Sequence, residues 1–319
     1  MGTFTRREFL LGAATALVAA ACSKGGTPRP TSPPPSGPLR PKSLHDLAQG
    51  AVRLSLIQAQ SELPTGKAQF TFGLSTPQGG LLQGGSPQVF VAQDETSKPL
   101  GPFRATYFQF APASEFNDPK IPRSNITGFY SASVDVPSPG PWFFAAAAEA
   151  GGRTAVGVGA STVKEQVPNA VGARATPFHT PVATTRRGLE EICTREPPDS
   201  MHYVALDNAL KNGKPTVVSF ATPLLCESRL CGPVVDEQIL VFKKIGKSRA
   251  NFIHVEEFLP GKDLKPPGPT IGNRSPAFKA WHLTTEPWVF VIDRKGVIRA
   301  AFEGPSVAAQ IDSALTPLL

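Results

Sequence analysis

Apolar and polar residues alternate along the first half of the chain, as they do in strands that bury one face. Every second residue is apolar in 68–74 and again in 130–136, and a period of two places these side chains on one side of a sheet. Turns rich in glycine and proline separate such segments. The pattern predicts seven strands, over residues 52–60, 68–74, 87–93, 103–110, 128–136, 142–150 and 153–163. We therefore expect an all-β domain over residues 45–165.

Seven short strands in about 110 residues are typical of an immunoglobulin-like sandwich. The turn at residues 135–142, Asp-Val-Pro-Ser-Pro-Gly-Pro-Trp, resembles the hairpin before a late strand of bacterial immunoglobulin-like modules. The cysteine pair that joins the two sheets of antibody domains has no counterpart between residues 45 and 165. No catalytic constellation is visible there either, so we expect a spacer or docking module.

From residue 201 onward the apolar period changes, and helices alternate with short apolar runs. Residues 203–210 suit a helix that ends at Asn212-Gly213, and a buried strand follows at 215–221. The later predicted elements are a helix through Val235, Ile239, Phe242 and Ile245, a strand at 251–258, a helix at 276–282, strands at 287–292 and 297–302, and a helix at 305–315. This order predicts an α/β domain over 201–319 whose last two strands form a hairpin. A polar connector, 166–200, precedes it.

The amino-terminal residues 1–21 have the pattern of an export signal, and Arg6-Arg7 resembles the twin-arginine type, with a generic basic signal as the alternative. The apolar stretch 9–21 is too short for a bilayer, which needs about 20 residues. Ala19-Ala20-Ala21-Cys22 resembles a lipobox, although ordinary cleavage at the same small residues stays open. We expect a lipid anchor on Cys22, a proline-rich tether over 22–44, and a bacterial protein held on the outer face of the cytoplasmic membrane.

The chain carries a formal net charge of +7 but no basic run with interleaved aromatic residues, so nucleic acid is not an expected partner. Lipidation of Cys22 would leave Cys193, Cys226 and Cys231. An odd number of thiols in an exported protein predicts one unpaired cysteine. Cys193, in the connector, is expected to be that one.

Cys226 and Cys231 follow the strand predicted at 215–221. On one continuous helix, residues five apart are rotated by about 140° and separated by about 7.5 Å, which is too far for a disulfide with Cα atoms about 5.5 Å apart. Pro233 would also break such a helix. We therefore expect a turn over 226–231 and a helix that begins near Gly232, with Pro233 at its first position. A disulfide then becomes feasible, and the helix terminus favours Cys231 as the thiolate.

Three segments resemble the thioredoxin-like superfamily, in particular its membrane-anchored extracytoplasmic thiol–disulfide proteins: Pro215 to Pro223 leading into the cysteines, Cys231-Gly-Pro233, and Thr285 to Val297. The resemblance implies a thioredoxin fold and a cis Pro287 that faces the cysteines and guides an extended substrate. It also implies Cys226 as the nucleophile, no cofactor, and a cell-envelope protein with a thiol or disulfide as partner. The four-residue spacing departs from the family, as do Leu225 before the first cysteine and Ser219 in place of a buried acid.

Three functions stay open at this point. The Cys226–Cys231 pair can serve a thiol–disulfide oxidoreductase, or it can be a structural disulfide in a non-catalytic binding protein. A third alternative is a copper chaperone similar to the Sco type, for which His254 and His282 are the candidate ligands. A packed core position for His254 and a surface position for His282 are the simpler interpretations. The sequence has no catalytic triad, phosphate loop or paired zinc motif.

Overall fold

A computed structural model describes residues 37–112, 116, 118, 121, 125–260 and 270–319. The predicted export signal and Cys22 lie outside these residues. Within the described part of the chain, no helix has the length and apolar character that a membrane crossing requires. The backbone amide of Leu39 already bonds to Gln88 Oε1 at 2.8 Å, and Leu44 is buried. Packing therefore begins inside the segment that we predicted as tether.

All seven strands predicted for the first half are present. One short helix and one strand of two residues accompany them in the described part of the chain. This strand was not predicted from the sequence, because two residues are too few to show an alternation of apolar and polar positions. The elements are α1 (Leu44–Ala48), β1 (Val52–Gln58), β2 (Leu63–Pro64), β3 (Gly66–Ser75), β4 (Gln88–Ala92), β5 (Leu100–Gln109), β6 (Gly128–Val136), β7 (Gly140–Ala150) and β8 (Arg153–Lys164).

The prediction of a two-sheet sandwich is wrong in one respect, because these strands form a single closed sheet. The order is β1-β3-β6-β5-β4-β7-β8, and β1 pairs with β8 in parallel to close it. Two strands change partners midway. The first half of β5 pairs with β4 and its second half with β6, while β1 pairs first with β8 and then with β3. The orders β1-β3-β6-β5 and β4-β7-β8 are those of the two immunoglobulin sheets, here joined at both edges.

The second half forms a separate four-stranded sheet flanked by helices. Its elements are α2 (Arg186–Glu190), α3 (Leu206–Ala209), β9 (Thr216–Phe220), α4 (Cys231–Ile245), β10 (Asn251–Val255), α5 (Pro276–Ala280), β11 (Trp288–Ile292), β12 (Ile298–Glu303) and α6 (Ala308–Leu315), with single 3₁₀ turns at Ile271–Asn273 and Thr316–Leu318.

The four strands run in the order β10-β9-β11-β12, with β9 parallel to β10 and β11 antiparallel to both β9 and β12. Alternate residues of β9 face opposite layers. Val217 packs in one apolar cluster with residues of α4 and α6, whereas Val218 packs in another with residues of α5. This order and these directions are those of the predicted thioredoxin-like fold, and the terminal hairpin is confirmed.

The connector and Met201, which follows it directly, add hydrogen bonds to the two edges of the four-stranded sheet. On the β12 side, the Gly172 amide donates to Ile298, and the Ile298 amide donates to Ala173, each at 2.9 Å. On the β10 side, the His254 amide donates to the carbonyl of Met201 at 2.9 Å. The segment predicted as irregular thus completes the α/β domain.

The closed sheet and the α/β domain belong to one compact unit. Glu303 at the end of β12 accepts hydrogen bonds from the Ser61 hydroxyl and the Glu62 amide, both at 2.7 Å. Glu237 of α4 accepts one from the Ala111 amide at 2.6 Å. Phe129 of the closed sheet shares an apolar cluster with the cysteine pair and α4. The cysteine pair is therefore packed against the other domain.

Candidate functional site

The turn after β9 holds Cys226 and Cys231 in a disulfide, with their Cα atoms 5.9 Å apart. The chain leaves β9 at Phe220 and enters α4 at Cys231, so residues 226–231 form the turn that the spacing predicts. The helix begins one residue earlier than expected, and Pro233 occupies its third position. The first amides of a helix have no partner inside the helix, so proline is tolerated there.

The amino terminus of α4 points at the sulfur of Cys226. The backbone amide of Cys231 donates to Cys226 Sγ at 3.3 Å, and the Ser228 hydroxyl lies 3.2 Å from the same sulfur. Cys226 is 8% exposed, whereas Cys231 is completely buried. Cys226 is therefore both the more accessible cysteine and the one that the helix terminus stabilises as a thiolate.

The loop before β11 faces the disulfide. The Glu286–Pro287 bond is cis, the isomer that the family resemblance implies. A carboxylate oxygen of Glu286 and the sulfurs of both cysteines all lie within 4.8 Å of one another. The structure thus brings Cys226, Cys231 and Pro287 to one place and adds an acid to them.

Glu286 is the residue that sequence reasoning missed. Burial, followed by the neighbouring carboxyl of Glu257, raises the pKa of Glu286 well above its usual range. Its Oε2 atom is buried without a hydrogen-bond partner among the described residues. The position of an acidic residue directly before the expected cis proline could have indicated its role in the sequence. Ser219 stands where thioredoxin-like proteins often have a buried acid, and its hydroxyl does not titrate near neutral pH. The carboxyl of Glu286, with its raised pKa, can supply a proton there.

A cleft of about 510 Å³ opens in front of this turn. The α/β domain and the closed sheet both line it, through Ser228, Leu230, Thr285 and Glu286 on one side and Ile57 and Phe129 on the other. The cleft therefore lies between the two domains, next to the turn that carries the cysteines. Clefts at domain interfaces are frequent ligand sites.

Ile121, which lies between β5 and β6 in the chain, packs against the start of α4. A methyl group added at Gly232 would lie only 2.7 Å from Ile121 Cγ2, so the glycine allows Ile121 to approach the helix. The disulfide is consequently less exposed than an open turn after a strand would leave it.

The two histidines proposed for copper occupy unrelated places. His254 on β10 is buried, with Nδ1 2.8 Å from Asp199 Oδ2 and Nε2 3.0 Å from the carbonyl of Ala221. His282 is exposed just after α5, with a φ of 51°. Among the described residues, the sulfurs of the pair group with Glu286 and not with a histidine. The arrangement of a Sco-type copper site is therefore not assembled. Cys193 is buried and unpaired, as predicted.

No protein-family model matches the chain, and no curated protein does. A solved structure of a thiol:disulfide interchange protein of the thioredoxin family, from Chlorobium tepidum TLS, is 20% identical, with 46% of this chain aligned to 99% of that one and a TM-score of 0.27. The ZirS C-terminal domain is 12% identical over 51% of this chain and 97% of that one, with a TM-score of 0.18. The second half of the chain has a thioredoxin-like fold. That assignment rests on the order and direction of its strands.

Proposed function

We propose that this protein is an extracytoplasmic thiol–disulfide oxidoreductase that uses Cys226 and Cys231. The observation that carries the proposal is the disulfide at the start of α4, with the carboxyl of Glu286 and the cis Pro287 loop beside it. Burial raises the pKa of that carboxyl well above its usual range. A thiol pair, a helix terminus and an acid of raised pKa are what disulfide exchange requires.

In the oxidising direction, a substrate thiolate attacks Cys226 Sγ and breaks its bond to Cys231. Cys231 leaves as a thiolate and takes the proton of Glu286. A second substrate thiolate then attacks the mixed disulfide, which releases the oxidised substrate and the Cys226 thiolate. The amide of Cys231 and the hydroxyl of Ser228 stabilise that anion. The reverse sequence reduces a substrate disulfide, so two electrons move in either direction.

We assign the nucleophilic role to Cys226. Position along the helix alone favoured Cys231, but the amide of that residue donates to the other sulfur. The greater exposure of Cys226 supports the same assignment. Order along the family motif agrees with it.

We further propose that Cys22 carries a lipid anchor and that the proline-rich segment before Leu39 lets the folded part extend from the membrane surface. The location would be the outer face of the cytoplasmic membrane of a bacterium, where disulfides persist. The partner would be another cell-envelope protein with an extended segment around a thiol or disulfide. Radiolabelled fatty-acid incorporation that survives in wild type and vanishes in Cys22→Ser tests the anchor.

The reduction potential of the Cys226–Cys231 couple in the whole chain tests the redox function. We expect a value between about −270 and −120 mV, as in exchanging dithiols. The Cys226 thiolate of Cys231→Ser should attack a disulfide-bonded peptide, release one peptide thiol and accumulate as a mixed disulfide, and Cys226→Ser should not. Cys22→Ser is the matched control, because it removes a cysteine without touching the pair.

A second candidate is a binding protein in which the disulfide only holds the turn. The near-complete burial of both cysteines favours it. A potential below about −300 mV, together with no mixed disulfide in Cys231→Ser, would establish that role and refute the exchange function.

A further inference from the structure

A second cluster of metal-binding side chains lies behind the redox turn. Cys193, Asp199, His202 and His254 are all buried, and one donor atom from each lies within 4.8 Å of the donors of the other three. Three of them come from the connector and the residues that follow it, and one comes from β10. The thioredoxin-like fold does not need them for its strands or its redox pair.

The distances around Asp199 are close to those of a four-coordinate metal. Asp199 Oδ2 lies 3.4 Å from Cys193 Sγ and 2.8 Å from His254 Nδ1, while Oδ1 lies 3.6 Å from His202 Nε2. In a tetrahedral zinc site with bonds of about 2.0 Å to nitrogen and oxygen and 2.3 Å to sulfur, neighbouring ligand atoms are about 3.3–3.6 Å apart. Small side-chain adjustments would therefore place one ion among all four.

His202 points to a missing ligand. Its Nε2 atom is buried and makes no hydrogen bond among the described residues, because Asp199 Oδ1, at 3.6 Å, is beyond normal hydrogen-bond length. The side chain is only 2% exposed. A buried polar atom without a partner costs about 1–3 kcal/mol. A bound cation at this atom would remove that cost.

The surroundings of His254 also suit a metal ligand. Its Nε2 lies 3.0 Å from the carbonyl of Ala221, which can only accept, so Nε2 carries a proton. A histidine that binds metal through one nitrogen usually donates the other to a carbonyl or carboxylate. His254 Nδ1 shares a proton with Asp199 Oδ2 at 2.8 Å, so its lone pair becomes available to a metal ion once that proton leaves.

We propose that Cys193, Asp199, His202 and His254 bind one zinc-like divalent cation in a closed, four-coordinate site. One thiolate, one carboxylate and two neutral imidazoles neutralise a charge of +2, and this mixture of sulfur, nitrogen and oxygen suits zinc. Binding displaces the proton of the Cys193 thiol and the proton shared by His254 and Asp199. The proposal does not depend on the redox function of Cys226 and Cys231.

An entry path exists. A cavity of about 300 Å³ is lined by His202, His254 and Glu256. Glu256 does not need to ligate, because its carboxylate accepts from the amide and hydroxyl of Thr194. The hydroxyl oxygen of Thr194 in turn accepts from the Leu224 amide at 3.3 Å. An ion in this place would fix the connector against both β10 and the turn that leads to Cys226.

Cobalt titration of the whole chain tests the site. In Cys22→Ser/Cys226→Ser/Cys231→Ser the only cysteine left is Cys193. After chelator treatment and reduction, we expect this variant to bind one Co²⁺ per chain with a thiolate-to-cobalt charge-transfer band and the strong visible bands of four-coordinate cobalt. Zinc should displace the cobalt.

Two further substitutions in that background identify the ligands. Cys193→Ser should abolish the charge-transfer band, and His202→Asn should weaken cobalt binding at least about tenfold. His282→Asn is the matched control, since His282 is exposed and outside the cluster, and its binding should be unchanged. No band at excess cobalt, a band that survives Cys193→Ser, or equal losses in the two histidine variants would overturn the proposal.

A second measurement covers the case in which Cys193→Ser does not fold. Zinc-edge X-ray absorption of the zinc-loaded variant that retains only Cys193 should show one sulfur and three nitrogen or oxygen neighbours. A first shell without sulfur would refute the site.

Discussion

At the scale of single residues, the carboxyl of Glu286 lies beside both sulfurs of the disulfide. Burial and Glu257 raise the pKa of Glu286, so the carboxyl stays neutral at pH values where an exposed glutamate is charged. Its position next to both sulfurs suits it to the proton transfer of the proposed exchange reaction. Thr222, which interacts with it through side chain and backbone, holds it in place.

Glu286→Gln should slow disulfide exchange with a dithiol peptide by about 100-fold, because the amide cannot donate a titratable proton. The wild-type rate should fall as pH rises through the raised pKa of Glu286, where the acid is lost, and the glutamine variant should lack this decline. Stopped-flow fluorescence across pH measures both. Glu227→Gln, an exposed neighbour of Cys226, is the control, and equal rates in wild type and Glu286→Gln would refute the role.

Asp236 gives a pH dependence of stability. Burial raises its pKa to about 6, although Arg195 at 2.7 Å opposes the shift. The folded state therefore favours the protonated form. This protonation contributes up to about 3 kcal/mol to the free energy of unfolding. The contribution is complete below pH about 4 and is lost as the pH rises through 6.

Asp236→Asn should reduce the change in the free energy of unfolding between pH about 4 and 6, since the amide does not titrate. Urea unfolding at several pH values between 4 and 7 measures the difference from wild type. Asp312→Asn, which removes a partly exposed carboxylate paired with Lys244, should leave the slope as it is. An identical slope in Asp236→Asn and wild type would contradict the assignment.

At the scale of elements, alternation located the strands because each buries one face. The periodicity does not determine, however, which strands pair with each other. The change of partners within β1 and β5 was therefore invisible in the sequence, and a sandwich was predicted where the sheet closes. The turn over residues 226–231 was predictable because one short segment contains both cysteines and Pro233. The contact of Ile121 with the start of α4 was not predictable, because Ile121 comes from a distant part of the chain.

Gly232→Ala should disturb that contact. The added methyl group meets Ile121 at 2.7 Å, and overpacking of this kind costs about 1–3 kcal/mol. Against this, alanine favours a helix by up to about 1 kcal/mol. We expect a net loss of about 1 kcal/mol in urea unfolding and faster reduction of the disulfide by dithiothreitol.

The double variant Gly232→Ala/Ile121→Ala isolates the contact. It should recover part of the stability, because the small side chain makes room for the methyl group, while reduction stays fast. A Gly232→Ala variant with wild-type stability and reduction rate would show that Ile121 does not restrict the turn.

At the scale of the whole molecule, Glu303 links the two domains. Its carboxylate accepts from Ser61, Glu62 and the Thr285 hydroxyl. Glu303→Ala leaves these donors without an acceptor and should lower the free energy of unfolding by about 2–3 kcal/mol. Differential scanning calorimetry should show one transition in wild type and two in the variant. Glu165→Ala, at an exposed acid, should keep the single transition, and a single wild-type-like transition in Glu303→Ala would refute the linkage.

Long-range assembly also explains which site residues escaped prediction. Cys226, Cys231 and Pro287 carry local motifs, and Glu286 adjoins one of them. Asp199 and His202 carry no motif. They meet His254 only because the backbone of Met201 pairs with the edge of β10. Such a cluster depends on the tertiary fold, and no spacing along the chain encodes it.

The hydrogen bonds that the connector and Met201 make to the four-stranded sheet limit the pairing of its edge strands with other chains. An unpaired edge strand is a template for intermolecular pairing and aggregation. Here β10 is met by Met201, and the start of β12 by residues 172–175, while β1 and β8 pair to close the other sheet. Among the described residues, both sheets therefore offer little backbone for a foreign strand. A polypeptide substrate of the proposed exchange reaction would therefore be recognised by its side chains and its sulfur and not by strand pairing.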